Sequence, residues 1–297
     1  MITIAKLTKE FPGCVALKDF DATVADGKVH GLVGSNGAGK STFLRLIAGV
    51  YRPTAGAIAY DGRPVWDNPA VKRDIAFIPD ELHFFPGASV QRMAAYYRGL
   101  YPAFDDARLE KLLEIFELDP KGKIANFSKG MKRQAATALA LACRTRYLFF
   151  DETFDGLDPV KRNAVKEMLR ADARERGATV VIASHSLREL EDACDQLTLV
   201  HQGGVVLDSE VAKLRTNWFK VQVAFAAPCA EADFAGFAVK GFHAVGRVAT
   251  FITTGDREDV RRRLEEKRPL LVDVLPLSLE EVCIYEMGAL GYALDLD

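Results

Sequence analysis

The run Gly34-Ser35-Asn36-Gly37-Ala38-Gly39-Lys40-Ser41-Thr42 has the residue types and spacing to hold phosphate. The apolar stretch Val29 to Val33 ahead of it reads as a buried strand, and Phe43 to Ala48 behind it as a helix. A glycine-rich turn between strand and helix lets the backbone N–H groups of Gly34, Ser35, Asn36, Gly37, Ala38 and Gly39 face one concavity at the positive end of a helix dipole. Glycine at these places permits positive φ angles and close backbone approach. Lys40 can reach the β- and γ-phosphates, Ser41 can set its hydroxyl on Mg²⁺, and Thr42 is left for the α-phosphate.

Other apolar runs also end on polar pairs. Tyr147-Leu148-Phe149-Phe150 leads into Asp151-Glu152, Ile75 to Pro79 into Asp80-Glu81, and Thr179 to Ala183 into Ser184-His185. In open α/β sheets, carboxylates at the C-terminal ends of strands project into the ligand crevice, which puts Asp151 and Glu152 beside the phosphate loop. Phe11, in Glu10-Phe11-Pro12-Gly13, is an aromatic with either an ordinary loop role or a flat ring to offer a base.

These residues need a frame, and the hydrophobic pattern predicts it. Apolar strands alternate with helices, implying an α/β fold with a mostly parallel sheet covered on both faces. From Ser89 to about Leu118 the period turns helical, with Leu109, Leu112, Leu113 and Phe116 on one face. This predicts a helical subdomain inserted at about 84–140. Asp158 is placed to cap a helix opened by Pro159 and running to about Arg176. Leu197 to Val200 and Val205 to Leu207 read as a hairpin around Gly203-Gly204. Beyond Leu214 the character changes: a strand over 247–253, a charged helix over 256–268, a strand over 270–275 and a Ser278–Glu281 capping box predict a small α/β domain, 215–297, after a larger one, 1–214. In the charged helix, Arg261-Arg262-Arg263 is interleaved with acids and reads as a solvated face.

At 297 residues, 49% hydrophobic, the chain can fill one large core and a small appendix. A net charge of −2 argues against a dominant basic surface, so no direct nucleic-acid partner is expected. Five scattered cysteines without metal-type spacing fit reduced cytosolic thiols. The N-terminus lacks a signal-peptide apolar core, and no run approaches the roughly twenty apolar residues of a membrane span. His30, His83, His201 and His243 read as structural.

Over about residues 1–215 the ordered motifs resemble the ATP-binding cassette of ABC transporters. Gly34 to Thr42 matches the phosphate loop, Leu148 to Glu152 the second nucleotide motif, and Phe127-Ser128-Lys129-Gly130-Met131 the signature usually written L-S-G-G-Q. Gly156-Leu157-Asp158-Pro159 matches the D-loop, and His185 falls where the switch histidine belongs. The resemblance implies a P-loop NTPase cassette with a mostly parallel core sheet, an antiparallel β subdomain and the inserted helical subdomain. It implies ATP and Mg²⁺ as ligands, with Ser41 and, through water, Asp151 holding the metal. Glu152 is then the catalytic carboxylate that orients or deprotonates water, Lys40 neutralises phosphate, and His185 contacts the γ-phosphate. Phe11 stacks on adenine. Ser128 and the Gly130 N–H act on nucleotide across a dimer with a second cassette, identical or not, and Asp158 of the D-loop is counted among the nucleotide-binding residues.

Three departures stand out. Lys129 and Met131 replace the usual signature glycine and glutamine, a variant associated with separate-subunit bacterial exporters. Asp80, counted among the nucleotide-binding residues, stands where a glutamine is usual, so an amide that could donate to Mg²⁺-bound water is replaced by an acceptor. Thr153 and Phe154 replace the usual proline and threonine, with no mechanistic reading from sequence. The implied role is the ATPase motor of an exporter, on the cytosolic face of a separate transmembrane permease. Leu82 to Pro86, with Met93, Tyr96 and Tyr97, forms either a groove for that partner or simply the helical subdomain's core. A soluble nucleotide-gated switch acting on a protein or RNA is the alternative from another class.

Overall fold

The structure, a computed structural model, describes residues 1–289, leaving aside the side chains of 215–217 and 286–289. The chain forms two compact units, the first covering Met1–Asp208 and the second starting at Ser209.

In the first unit, β1 (Ile2–Phe11) and β2 (Cys14–Val24) pair antiparallel. Their alternation buries Ile2, Ile4 and Leu7 from one strand and Leu17, Phe20 and Val24 from the other. Strand β3 (Val29–Val33) is buried throughout and feeds the phosphate loop, which opens α1 (Lys40–Ile47). With β4 (Ala55–Tyr60) and β5 (Arg63–Pro64), the first two strands complete an antiparallel sheet of order β2-β1-β4-β5. A single turn, α2 (Pro69–Lys72), leads to β6 (Ile75–Ile78).

The inserted helices are α3 (Val90–Leu100), α4 (Asp106–Phe116) and α5 (Lys129–Ala142). The helical pattern over 89–118 is made of two helices. Pro102 cannot continue a helix, and the Asp105 side chain accepts from the Arg108 N–H at 2.9 Å to start the next. Residues 135 to 142 of α5 are all buried, and the five that are alanine are small enough for close packing. The chain continues through β7 (Tyr147–Asp151), α6 (Pro159–Arg176), β8 (Thr179–Ser184), the short α7 (Leu187–Leu190), β9 (Gln196–His201) and β10 (Gly204–Glu210).

The core sheet has the order β10-β9-β3-β8-β7-β6, and its strands from β9 to β6 run parallel. Every residue of β3, β7 and β8 is buried, as a parallel sheet covered on both faces requires. Each fully buried side chain there, such as Phe149, Phe150 or Ile182, contributes about 1.5–3 kcal/mol of transfer free energy. Parallel pairing brings the C-terminal ends of β3, β8 and β7 to one edge.

The second unit contains α8 (Val211–Asn217), β11 (Trp218–Ala224), β12 (Lys240–Val245), β13 (Val248–Thr254), α9 (Arg257–Glu265), β14 (Leu271–Pro276) and α10 (Leu279–Ala289). Its sheet is antiparallel, in the order β12-β13-β11-β14. Phe219, Val221, Phe234, Phe251 and Leu264 centre its core. Asp256 caps α9, and the three arginines pair locally: Arg261 with Glu265, Arg262 with Asp259, and Arg263 with the Gly236 carbonyl. The Ser278–Glu281 box closes at both its bonds, 3.0 and 3.3 Å.

Candidate nucleotide site

The register fixes the site's layout. Val33 lies opposite Ser184 and Asp151 opposite Ala183, so the phosphate loop, Glu152 and His185 leave adjacent strand ends. The loop is packed as well as flexible in its backbone choices. A Cβ on Gly34 would sit 2.3 Å from the Val200 carbonyl oxygen. Gly39, at φ 107°, would place one 2.7 Å from the Ala16 carbonyl oxygen, so both positions exclude a side chain.

Lys40 is buried, and its ammonium donates to the Gly34 and Ser35 carbonyls at 2.7 and 3.2 Å. It also lies 3.5 Å from Glu152 Oε1. The other carboxylate oxygen of Glu152 is 2.9 Å from His185 Nδ1 and 3.4 Å from the His185 backbone nitrogen. An ionised carboxylate only accepts, so this contact selects the histidine tautomer with the proton on Nδ1. Glu152 adopts φ 48°, left-handed for a non-glycine residue, with its N–H on the Ala183 carbonyl at 2.9 Å. That conformation costs about 1–2 kcal/mol and swings Glu152 out of the strand while Asp151 stays in it.

Asp151 is fully buried, and both its carboxylate oxygens lack a hydrogen-bond partner among the described residues. Burial pushes its carboxyl above the ordinary value, opposed by the nearby Ser41 hydroxyl and the charge of Arg45. An orphaned buried carboxylate beside a hydroxyl fits a hard divalent cation, which takes oxygen ligands. Lys40, Glu152 and His185 are thus brought into one cluster, with Asp151 and Ser41 at its side.

The remaining predicted residues lie as follows. Phe11 ends β1 as an exposed ring, edge-on to Tyr51 at 5.6 Å between centroids, with the Lys9 ammonium 4.9 Å from its centre. Ser128 caps α5, accepting from the Met131 N–H at 3.2 Å. Gly130 is packed so closely on the following loop that a Cβ would lie 2.5 Å from the Gly156 carbonyl oxygen. Asp158 caps α6, accepting from the Lys161 N–H at 2.9 Å. Among the described residues, Ser128, Gly130 and Asp158 make no hydrogen bond to the phosphate loop. Asp80 turns its carboxylate to Arg133 at 2.8 Å.

Other residues had no functional reading from sequence. Thr153 and Phe154 are fully buried, so the departure there is an anchor for the loop after β7. Glu189 accepts from the Ser184 hydroxyl at 2.8 Å and lies 3.5 Å from Arg162, bracing the segment that carries His185. Tyr51 and Arg133 complete the set, and neither stands in a motif that sequence reasoning weighs. His30 is a core histidine, with Nε2 2.7 Å from the Thr198 hydroxyl. Met93 is buried in the helical subdomain, whereas Phe85 and Tyr96 are exposed and meet edge to face at 4.9 Å.

Comparison with known proteins agrees with this geometry. Residues 17–155 match the family model described as ABC transporter. The ABC transporter ATP-binding protein YtrB of Bacillus subtilis (strain 168) is 29% identical over 97% of this chain and 98% of its own length. The methionine import ATP-binding protein MetN of Corynebacterium jeikeium (strain K411) is 32% identical over 68% of this chain and 58% of its own. A solved dimeric bacterial ABC transporter cassette superposes with a TM-score of 0.65 over 71% of this chain and 99% of its own, at 23% identity. Together, the ordered motifs, the cluster at the strand ends and these likenesses identify the chain as an ATP-binding subunit of the ABC transporter family, with an ATPase cassette in its first unit.

Proposed function

We propose that this ATPase is the motor of an exporter, bound to the cytosolic face of a separate transmembrane permease and working as a dimer of cassettes. The observation that carries the catalytic part is the Glu152 carboxylate, held between Lys40 and His185 at the ends of adjacent strands. A triphosphate in the loop competes with Glu152 for the Lys40 ammonium, because it carries more negative charge at that point. Glu152 is then left to orient a water and take its proton, while Lys40 and the loop amides neutralise phosphate charge. With the triphosphate bound, His185 donates a ring N–H to the γ-phosphate and senses its loss. Asp151 and Ser41 would hold Mg²⁺, which supplies charge neutralisation at the phosphates. Phe11, beside Tyr51, offers the aromatic surface for adenine.

Ser128 and the Gly130 N–H lie at a helix N-terminus and serve a nucleotide on the partner cassette, in keeping with the dimeric structural relative. No helix among the described residues is long and apolar enough to cross a bilayer, so the membrane part of the machine is assigned to another chain. The exposed Phe85–Tyr96 pair is the surface assigned to the permease. The relatives include an import ATPase, and the export direction rests on the signature variant Ser128-Lys129-Gly130-Met131.

The test is Glu152→Gln. Its turnover is expected to fall by at least about 100-fold, the range for a lost general base, with ATP affinity retained and a dimer trapped by ATP on size exclusion. Turnover equal to wild type removes Glu152 from the mechanism.

A further inference from the structure

Arg133 lies one turn into α5, the helix whose N-terminus carries the signature, and its side chain is 1% exposed. One guanidinium nitrogen donates to the Pro79 and Asp80 carbonyls at 3.2 and 3.0 Å and lies 3.5 Å from the Asp151 carbonyl. The other donates to Asp80 Oδ1 at 2.8 Å, and Nε has no partner among the described residues. A buried cation is tolerated only when paired and hydrogen-bonded, and the Asp80 carboxylate, 53% exposed, is its ion-pair partner.

The guanidinium therefore joins three segments: the signature helix, the chain leaving β6, and the end of β7 beside Glu152. The chain leaving β6 runs on to Phe85, so the exposed aromatic surface is only a few residues away. If α5 or the 79–80 segment shifts without the other, the cation loses its counter-charge.

We propose that Arg133 is a positioning residue acting through Asp80: the pair locks the segment after β6 to the signature helix and to the end of β7. The Asp80 carboxylate then serves the guanidinium rather than the metal. Arg133 passes movement of the partner-facing segment to the carboxylates that act on nucleotide. This rests on the reading of Glu152 as the hydrolytic carboxylate.

The experiment combines Asp80→Asn, Asp80→Glu, Arg133→Met and the double variant Asp80→Asn with Arg133→Met, in the full chain. Readouts are ATPase activity, the Mg²⁺ concentration giving half-maximal rate, Mn²⁺-ATP affinity, and thermal unfolding without nucleotide. Asp80→Asn is expected to lower kcat about 10-fold and to lower the unfolding midpoint, because it strands a buried charge. KM for ATP, the Mg²⁺ requirement and Mn²⁺-ATP affinity are expected to stay within about twofold of wild type, since uniform binding is untouched. Asp80→Glu restores most of kcat. Adding Arg133→Met to Asp80→Asn restores the unfolding midpoint and costs no further kcat, the non-additivity of two residues acting as a unit.

A metal requirement raised several-fold in Asp80→Asn overturns the proposal, as do additive losses in the double variant. So does a lowered midpoint with kcat per folded molecule unchanged. Should Arg133→Met alone fail to fold, Asp80→Asn and its Glu counterpart decide the matter through kcat and the metal titration. Glu152→Gln run alongside keeps the two readings apart: retained turnover there removes the role of Glu152, while the metal titration and the unfolding comparison still judge the pair.

Discussion

The phosphate loop and the signature, the two edges of the cassette proposed to face nucleotide, are built differently. At the phosphate loop, the charges are buried and answer one another: Lys40 is 5% exposed and is held by two carbonyls and by Glu152. At the signature, Ser128 and Lys129 stand on the surface, and among the described residues the Lys129 ammonium is paired only with Asp155, at 2.5 Å. Buried charges interact strongly, because water does not screen them, whereas exposed ones contribute little until a partner covers them. The first edge is a finished receptor made by one chain. The second gains its strength by being covered, which is what a second cassette does in the proposed dimer.

The largest effect expected from testing that contrast is at Gly130. Gly130→Ala puts a Cβ 2.5 Å from the Gly156 carbonyl oxygen, forcing the start of α5 away from the loop that follows β7. Turnover is expected to fall about 100-fold, the scale for displacing one anion-binding donor, while ATP affinity of the isolated chain stays near wild type. Fluorescent-nucleotide binding and steady-state ATPase assays separate the two. A matching loss of ATP affinity would mean that the signature serves the nucleotide of its own chain, and the contrast between the edges would break.

A smaller effect, of opposite sign for stability, is expected at Asp151. Its folded carboxyl is raised above the ordinary 3.8 by burial, so the ionised form is disfavoured in the folded state. The resulting penalty is absent below the unfolded value, grows between the unfolded and the folded one, and is complete above the folded one. Asp151→Asn removes it. The nucleotide-free protein should melt about 2–4 °C higher at pH 7, the shift expected for roughly 1 kcal/mol in a domain of this size, with the gain vanishing toward acid. Mg²⁺-dependent stabilisation by ATP should be lost in the same variant. Thermal melts from pH 4 to pH 8, with and without Mg·ATP, check both halves.

The same contrast explains what the sequence makes legible. The buried edge is written in contiguous runs, an apolar strand followed by glycines or by Asp151-Glu152, because a parallel strand and its loop are adjacent in the chain. The positions of Lys40, Glu152 and His185 therefore follow from motif order plus strand pairing. Arg133 and Glu189 do not, since their partners Asp80 and Arg162 are brought to them by packing. A charge inside an alanine-rich helix is the only sign of Arg133 in the sequence. The break between α3 and α4 turns on Pro102 and the cap at Asp105, local features that hydrophobic period alone does not show. Strand β12, mostly exposed, lacks the alternating buried positions that mark β11.

The smallest expected effect concerns Lys129, and it sharpens the comparison. Lysine near the first turn of a helix opposes the helix dipole, and Asp155 offsets that charge. Both side chains are well exposed, 68% and 46%, so the pair is screened by solvent and salt. Lys129→Gly should therefore shift the melting temperature by less than about 2 °C at physiological ionic strength and by nothing measurable in high salt. Turnover should remain within about threefold of wild type, the size of effect left to a surface charge. If turnover fell as far as in Gly130→Ala, the ammonium itself would be acting on nucleotide across the dimer. The signature edge would then supply a charge in addition to the Ser128 hydroxyl and the Gly130 amide, and the two edges would differ in timing rather than in kind.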